Sequence, residues 1–225
     1  MPYEFENVRV EALDWDPGVP VGIWRSVGNS YNAFAVESFI DELAHEGRMD
    51  PLSFRRQYLT DRPRHLAVLE RLEKECDWGK APVGHYQGIA IHECYGSVVG
   101  QVAEISVDSG NAIRIHSVTC VVDCGIAINP EIVRAQMEGG VIFGITAALY
   151  GEIDIDGGRV KQSNFHDYRM LRLADTPEIA VHIVDSDVDP GGVGEPGTPP
   201  IAPALANAVF AATGKRLRHL PLRLQ

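Results

Sequence analysis

The eleven residues Pro190-Gly191-Gly192-Val193-Gly194-Glu195-Pro196-Gly197-Thr198-Pro199-Pro200 restrict the fold more than any other stretch of the chain. Glycine and proline alternate too densely there for a helix or a central strand, so the run must be a loop. Glu195 is its one carboxylate. It follows a glycine that permits close backbone approach and precedes a proline that fixes φ. The apolar segment 201–212 directly behind gives such a loop an anchor on a core. A rigid loop carrying one Glu suits general acid–base chemistry, where geometry must be set before proton affinity matters. A surface turn with an ordinary solvated Glu has the same spacing, so both readings stand on spacing alone.

The rest of the pattern divides in two. Residues 1–28 hold little periodicity and read as extended segments and loops. Asn29 or Ser30 is predicted to cap a helix that turns Phe34, Phe39, Ile40 and Leu43 inward. Asp50-Pro51 starts a second helix by the cap-then-proline pattern. A third follows Pro63, with Leu66, Leu69, Leu72 and Cys76 on one face and a charged run, Glu70 to Glu75, on the other. Residues 1–79 are thus expected to be a mostly helical region and 80–225 a second one. In the second, Gly88–Gly96, Val98–Val107 and Ile113–Val122 are strand-like, with turn chemistry at Asp108-Ser109-Gly110-Asn111. Asn129-Pro130-Glu131 opens a helix over 131–149. A short hairpin surrounds Asp156-Gly157-Gly158, a strand runs from Glu178 to Val184, and a final helix from Ala204 to Thr213 stops at Gly214. The expected class is α+β, antiparallel strands with flanking helices.

Net charge and composition exclude some functions. With 225 residues and a formal charge of -11, the chain lacks the clustered cations that nucleic acid or an anionic membrane surface requires. The longest apolar stretch, Gly139 to Tyr150, is too short and too glycine-rich for a transmembrane segment and reads as a buried helix. MPYEFENVRV has neither the basic start nor the apolar core of a signal peptide. Cys76, Cys94, Cys120 and Cys124 lack the spacing of a zinc or iron–sulfur site and read as buried small apolar residues, so no protein metal ligand is expected. His166-Asp167 has no nucleophile in a G-x-S-x-G elbow and reads as structural. No phosphate-binding loop is present. Gln136 offers donors and an acceptor on a helix that also holds Gly139, Gly140 and Gly144. Glycines there cost about 1 kcal/mol each against Ala, so they point to close packing, either on another element or on a flat cofactor.

Five stretches together resemble the large subunit of the xanthine dehydrogenase and aldehyde oxidase family, in its isoquinoline 1-oxidoreductase-like branch. They are GIWRSVGNSYNAFAVESFIDELA (22–44), DPLSFRRQYL (50–59), VDCGIAINPEIVRAQMEGG (122–140), QSNFHDYRMLR (162–172) and GGVGEPGTPPIAPALANAVFAATGKRLRHLPL (191–222). The resemblance implies the family's molybdenum-cofactor-binding fold and a molybdenum–molybdopterin site, in the cytosine dinucleotide form in bacterial members. It identifies Glu195 with the catalytic base that deprotonates the water-derived oxygen attacking an electron-poor carbon. It makes Gln136 a pterin ligand, gives Gly192, Val193, Gly194 and Arg25 to cofactor binding, and turns Ser26 and Val27 toward substrate. Relatives often carry an aromatic where Val27 stands. The family's GQG and GGGFG segments are absent, so the chain alone is expected to be inactive. The expected partners are the remaining N-terminal part of the large subunit, a [2Fe-2S] small subunit carrying the iron–sulfur clusters, and an aromatic heterocycle or aldehyde as substrate. The alternative from another class is a non-catalytic binding or assembly module that keeps the fold.

Overall fold

The computed structural model describes residues 1–13 and 16–224. Three helices come first: α1 (Gly28–Glu46), α2 (Pro51–Gln57) and α3 (Pro63–Glu75). An antiparallel meander follows, β1 (Tyr86–Cys94), β2 (Ser97–Val107) and β3 (Ile113–Asp123), then α4 (Pro130–Leu149). A two-residue hairpin, β4 (Ile155–Asp156) with β5 (Arg159–Val160), leads to β6 (Glu178–Ile183) and the last helix α5 (Ile201–Thr213). The main sheet has the order β1-β2-β3-β6, and β6 runs parallel to β3, from Ser117 opposite Glu178 to Val122 opposite Ile183. The mixed α+β class is as expected; the parallel fourth strand is the departure. A parallel pair needs a long crossover, which α4 and the segment after it supply.

The sheet is covered on both faces, which is why β2 reads as a nearly continuous apolar run rather than an alternation. Ile40, Leu52, Leu69 and Leu72 of the first three helices pack on Ile89, Ile91, Val98 and Val102, so the helices of 1–79 share a core with the strands of 80–225. Ala90, Ala103, Ile105 and Val118 point the other way, onto Val141, Ile145, Leu205 and Val209 of α4 and α5. At Gly88 the strand touches α5 so closely that a Cβ would lie 2.1 Å from the Ala208 backbone nitrogen.

The start signals of α2 and α4 hold. Asp50 accepts from Ser53 N at 2.8 Å, and Asn129 from Ile132 N at 3.2 Å. The start of α1 differs. Neither Asn29 nor Ser30 caps it; both lie inside the first turn and donate back, Asn29 Nδ2 to Ser26 O at 3.1 Å and Ser30 Oγ to Val27 O at 2.8 Å. Phe39 faces outward at 56% exposure while Ile40 is fully buried, because the buried stripe runs through Ala33, Glu37, Ile40 and Ala44. α5 begins three residues earlier than expected, since Pro203 is tolerated in a first turn where no N–H partner exists anyway. Three cysteines are buried, and Cys76 is only partly so. At 20 residues α4 is long and apolar enough to cross a membrane by length and composition. It carries Glu131, Arg134 and Glu138, and it buries Val133, Met137, Val141, Ile145 and Ala148 within the protein.

Candidate active site

The Gly/Pro run lies at the end of the sheet where β1 turns into β2 and β3 ends. Its backbone is stapled there. Gly191 N donates to Cys124 O at 2.8 Å, Gly192 N to Tyr95 O at 2.7 Å, and Ser97 Oγ to Gly192 O at 2.8 Å. Beneath it, Gln101 Nε2 donates to Gly197 O at 2.7 Å. Arg64 braces the same end, holding both carboxylate oxygens of Asp123 at 2.9 Å and the Gly96 carbonyl at 3.0 Å. Burial pushes the Asp123 carboxyl up, but the Arg64 guanidinium and the Gly125 N–H outweigh it and hold the group below the usual carboxylate range. On α4, Gly140 and Gly144 admit this loop: a Cβ on Gly140 would meet Gly197 backbone at 3.0 Å, and one on Gly144 would meet Ile201 at 2.3 Å. These two helical glycines therefore serve protein packing. Gly139 does not; nothing lies within 4 Å of where its Cβ would be.

The segment before α1 crosses the top of this loop. Arg25 Nε donates to Gly194 O at 2.9 Å, its Nη2 contacts the same carbonyl, and Nη2 also reaches Gln136 Oε1 at 3.2 Å. Ser26 N donates to Glu195 Oε2 at 2.9 Å, and Ser26 Oγ to Glu195 O at 2.8 Å. Thr198 N caps that carbonyl as well, at 3.0 Å. Holding these contacts puts Ser26 at φ 73° and Val27 at φ 49°. A β-branched residue there is a true outlier, of the kind that persists where surrounding contacts over-determine the backbone.

Of the residues singled out in the sequence, Arg25, Ser26, Gln136, Gly194 and Glu195 meet directly. Val27 is exposed beside them. Gly192 is backed against the Tyr95 turn, and the Val193 side chain turns inward onto the cluster of Val133 and Met137, so neither presents a side chain to the rim. Two residues that spacing did not mark join the site. The Tyr95 carbonyl holds Gly192 N of the Glu195 loop at 2.7 Å, and His92 Nε2 faces the Asn29 amide oxygen at 3.0 Å. Burial pushes the His92 imidazole down to about 4 and the Cys94 thiol up to about 12, so both are neutral near pH 7. His166 and Asp167 sit elsewhere. Asp167 closes its own turn by accepting from Ser163 N and Asn164 N, which lowers it to about 2.

The result is a half-buried carboxylate fixed through one oxygen, beside an exposed amide, a guanidinium and two glycines, 139 and 194, with open space at their Cβ positions. A flat polar group can approach that rim without displacing a side chain, so the residues present fit a pterin. Among the described residues, no three His, Cys, Asp or Glu side chains come together as a metal cage.

Comparison with known proteins agrees. Residues 40–177 match the molybdopterin cofactor-binding domain, and the chain belongs to that family, of the xanthine dehydrogenase and aldehyde oxidase type. It is 36% identical over 98% of its length to isoquinoline 1-oxidoreductase subunit beta of Brevundimonas diminuta. It is 34% identical, again over 98%, to a Gluconacetobacter polyoxogenes protein named membrane-bound aldehyde dehydrogenase [pyrroloquinoline-quinone]. The chain spans 29% and 32% of the length of those two relatives. The aldehyde oxidoreductase of Desulfovibrio gigas shares the fold, with a TM-score of 0.66 at 15% identity over 88% of this chain and 40% of that one.

Proposed function

We propose that the chain is the C-terminal molybdopterin-binding part of a molybdenum hydroxylase that oxidises an N-heterocycle or an aldehyde with oxygen from water. One observation carries the reading. Glu195, the carboxylate of a loop stapled at both ends, is gripped through one oxygen by Ser26 N and faces an open rim. When bound, the molybdenum–pterin group supplies the two-electron redox centre. Gln136 and Arg25 hold its polar edge, Gly194 and Gly139 leave it room, and Gly192 and Val193 fix the backbone that shapes the rim. Glu195 takes the proton from the attacking water-derived oxygen, a role for which a pre-positioned carboxylate contributes about 10²–10⁴ in rate. Ser26 orients that carboxylate, and the exposed Val27 lies toward substrate without the aromatic clamp of relatives. The cofactor is proposed in its cytosine dinucleotide form, with the iron–sulfur clusters on a [2Fe-2S] partner subunit and the remaining substrate wall on the N-terminal part of the large subunit.

Co-expression with those two partners, followed by molybdenum analysis and hydroxylation assays, tests the reading. Glu195→Gln is expected to retain the metal and lose turnover by about 10²-fold or more. Wild-type turnover with full metal content sinks the assignment. A complex that takes up no molybdenum with every partner present favours the assembly-module alternative.

A further inference from the structure

We propose that Asn29, oriented by His92, is a positioning residue for Glu195: it fixes Ser26, the residue whose N–H and hydroxyl hold the Glu195 turn. The inference rests on the reading of Glu195 as the working carboxylate. Ser26 is fully buried and engaged at every polar atom. Its N and Oγ hold Glu195, while its carbonyl accepts from the first turn of α1, from Asn29 N at 3.0 Å and from Asn29 Nδ2 at 3.1 Å. Two donors from one residue thus set a peptide that lies between φ angles of 73° at Ser26 and 49° at Val27. Backbone in that region persists where surrounding contacts over-determine it. Arg25 grips the loop one residue earlier, at the Gly194 carbonyl; Ser26 holds the Glu195 side chain itself.

The helix does not need the second donor. Asn29 N already closes the turn on Ser26 O, and Asn is a weaker helix former than Ala because its amide competes with the backbone. The other end of the amide shows how it is held. The Ser26 carbonyl can only accept, so it faces the Asn29 NH2 group, which leaves Oδ1 toward His92 Nε2 at 3.0 Å. An acceptor there requires His92 to donate. Burial keeps that imidazole neutral near pH 7, and its one proton therefore sits on Nε2. The chain His92–Asn29–Ser26–Glu195 runs from β1 to the carboxylate through hydrogen bonds of 3.0, 3.1 and 2.9 Å.

The test labels the full chain with 15N-serine and takes Ser26 as the amide lost in Ser26→Ala. In the wild type that N–H is expected to exchange slowly with solvent. Its proton shift should move in Glu195→Gln, where a neutral acceptor replaces a charged one. Asn29→Ala should speed the exchange about tenfold or more and move the shift in the same direction as Glu195→Gln. The isosteric Asn29→Asp turns a donor into an acceptor against Ser26 O and is expected to do the same, which covers poor folding of the alanine variant. His92→Gln offers a donor in place of Nε2 and should keep the wild-type resonance, whereas His92→Leu should follow Asn29→Ala. A Ser26 amide unmoved in both Asn29 variants, or a His92 found by 15N-histidine labelling to carry its proton on Nδ1 at pH 7, overturns the proposal. In the assembled enzyme, Asn29→Ala is expected to keep its molybdenum and its KM and to lose about tenfold in kcat. Wild-type kcat in that variant, with Glu195→Gln inactive, overturns it as well. Full turnover in Glu195→Gln sinks the base reading alone, and the serine spectrum still decides whether Asn29 holds the carboxylate.

Discussion

Two carboxylates, Glu37 and Glu195, are held in opposite ways. Glu37 is 1% exposed and fully engaged: Arg55 Nε donates to it at 2.9 Å, Tyr3 at 2.6 Å and Ile91 N at 3.0 Å. Arg55 is itself fully buried, and Asp41, Arg216 and Asn207 extend the network to α5 and the segment after it. Glu195 has comparable backbone support but sits at the edge of the packed volume, with the rim open beside it. The first carboxylate, buried and accepting three hydrogen bonds, serves to join α1, α2 and β1. The second is fixed in place yet reachable, which is what proton transfer requires.

Breaking each side should separate them by size. Arg55→Ala leaves Glu37 buried without its partner and is expected to cost about 3–5 kcal/mol in denaturant unfolding, enough to threaten the fold. Gly140→Ala presses a methyl on the Gly197 backbone. It should cost about 1–3 kcal/mol by the same measurement, the range for overpacking, and disturb the Glu195 turn in particular.

His92, behind the rim through Asn29, gives a pH signature. Its folded pKa is depressed to about 4 by burial, and the unfolded imidazole takes its proton near 6.5, so unfolding binds a proton between those values. Its contribution is full above about pH 6.5 and is lost as pH falls toward 4. From pH 7 to pH 5 the wild type should lose about 2 kcal/mol more than His92→Gln, read from urea midpoints. A parallel pH dependence in the two proteins would place the titration elsewhere. The smallest effect has the opposite sign. Gly139→Ala, one residue from Gly140, meets open space and should stabilise the isolated chain by about 1 kcal/mol through helix propensity. In the assembled enzyme it should lower molybdenum content, since the methyl enters the rim.

How much of this could be read from the sequence follows the range of the interaction. Asp50-Pro51 and Asn129-Pro130 announce helix starts because cap and proline act within one turn. The start of α1 has no such local signal: Val27, which no propensity favours there, precedes Gly28, and tertiary contacts of its neighbours to residues 194–195 hold its angles. Phe39 faces outward because the buried stripe of α1 runs through Glu37 and Asp41, both paired within the network described above, and apolar identity alone does not reveal such a stripe. The parallel pairing of β6 has no local signal at all. In the site, Glu195 stood out by its loop and Gln136 by its helix, but their meeting through Arg25 depends on segments far apart in the chain. Tyr95 did carry a local signal: a bulky residue in a Tyr-Gly hairpin turn where Asn-Gly or Asp-Gly is usual.

The Arg25 clasp also bears on timing. Its bonds to Gly194 and Gln136 join residues 169 and 111 positions apart, so one closes a loop over most of the chain and the other over about half of it. Contacts of such long range form after the local helices and the β1–β3 meander have already reduced the entropy of closure. Until those contacts close, Glu195 lies on a loop that the segment before α1 does not hold. The carboxylate and the amide of the site are therefore brought together by contacts that no single segment of the chain can make alone.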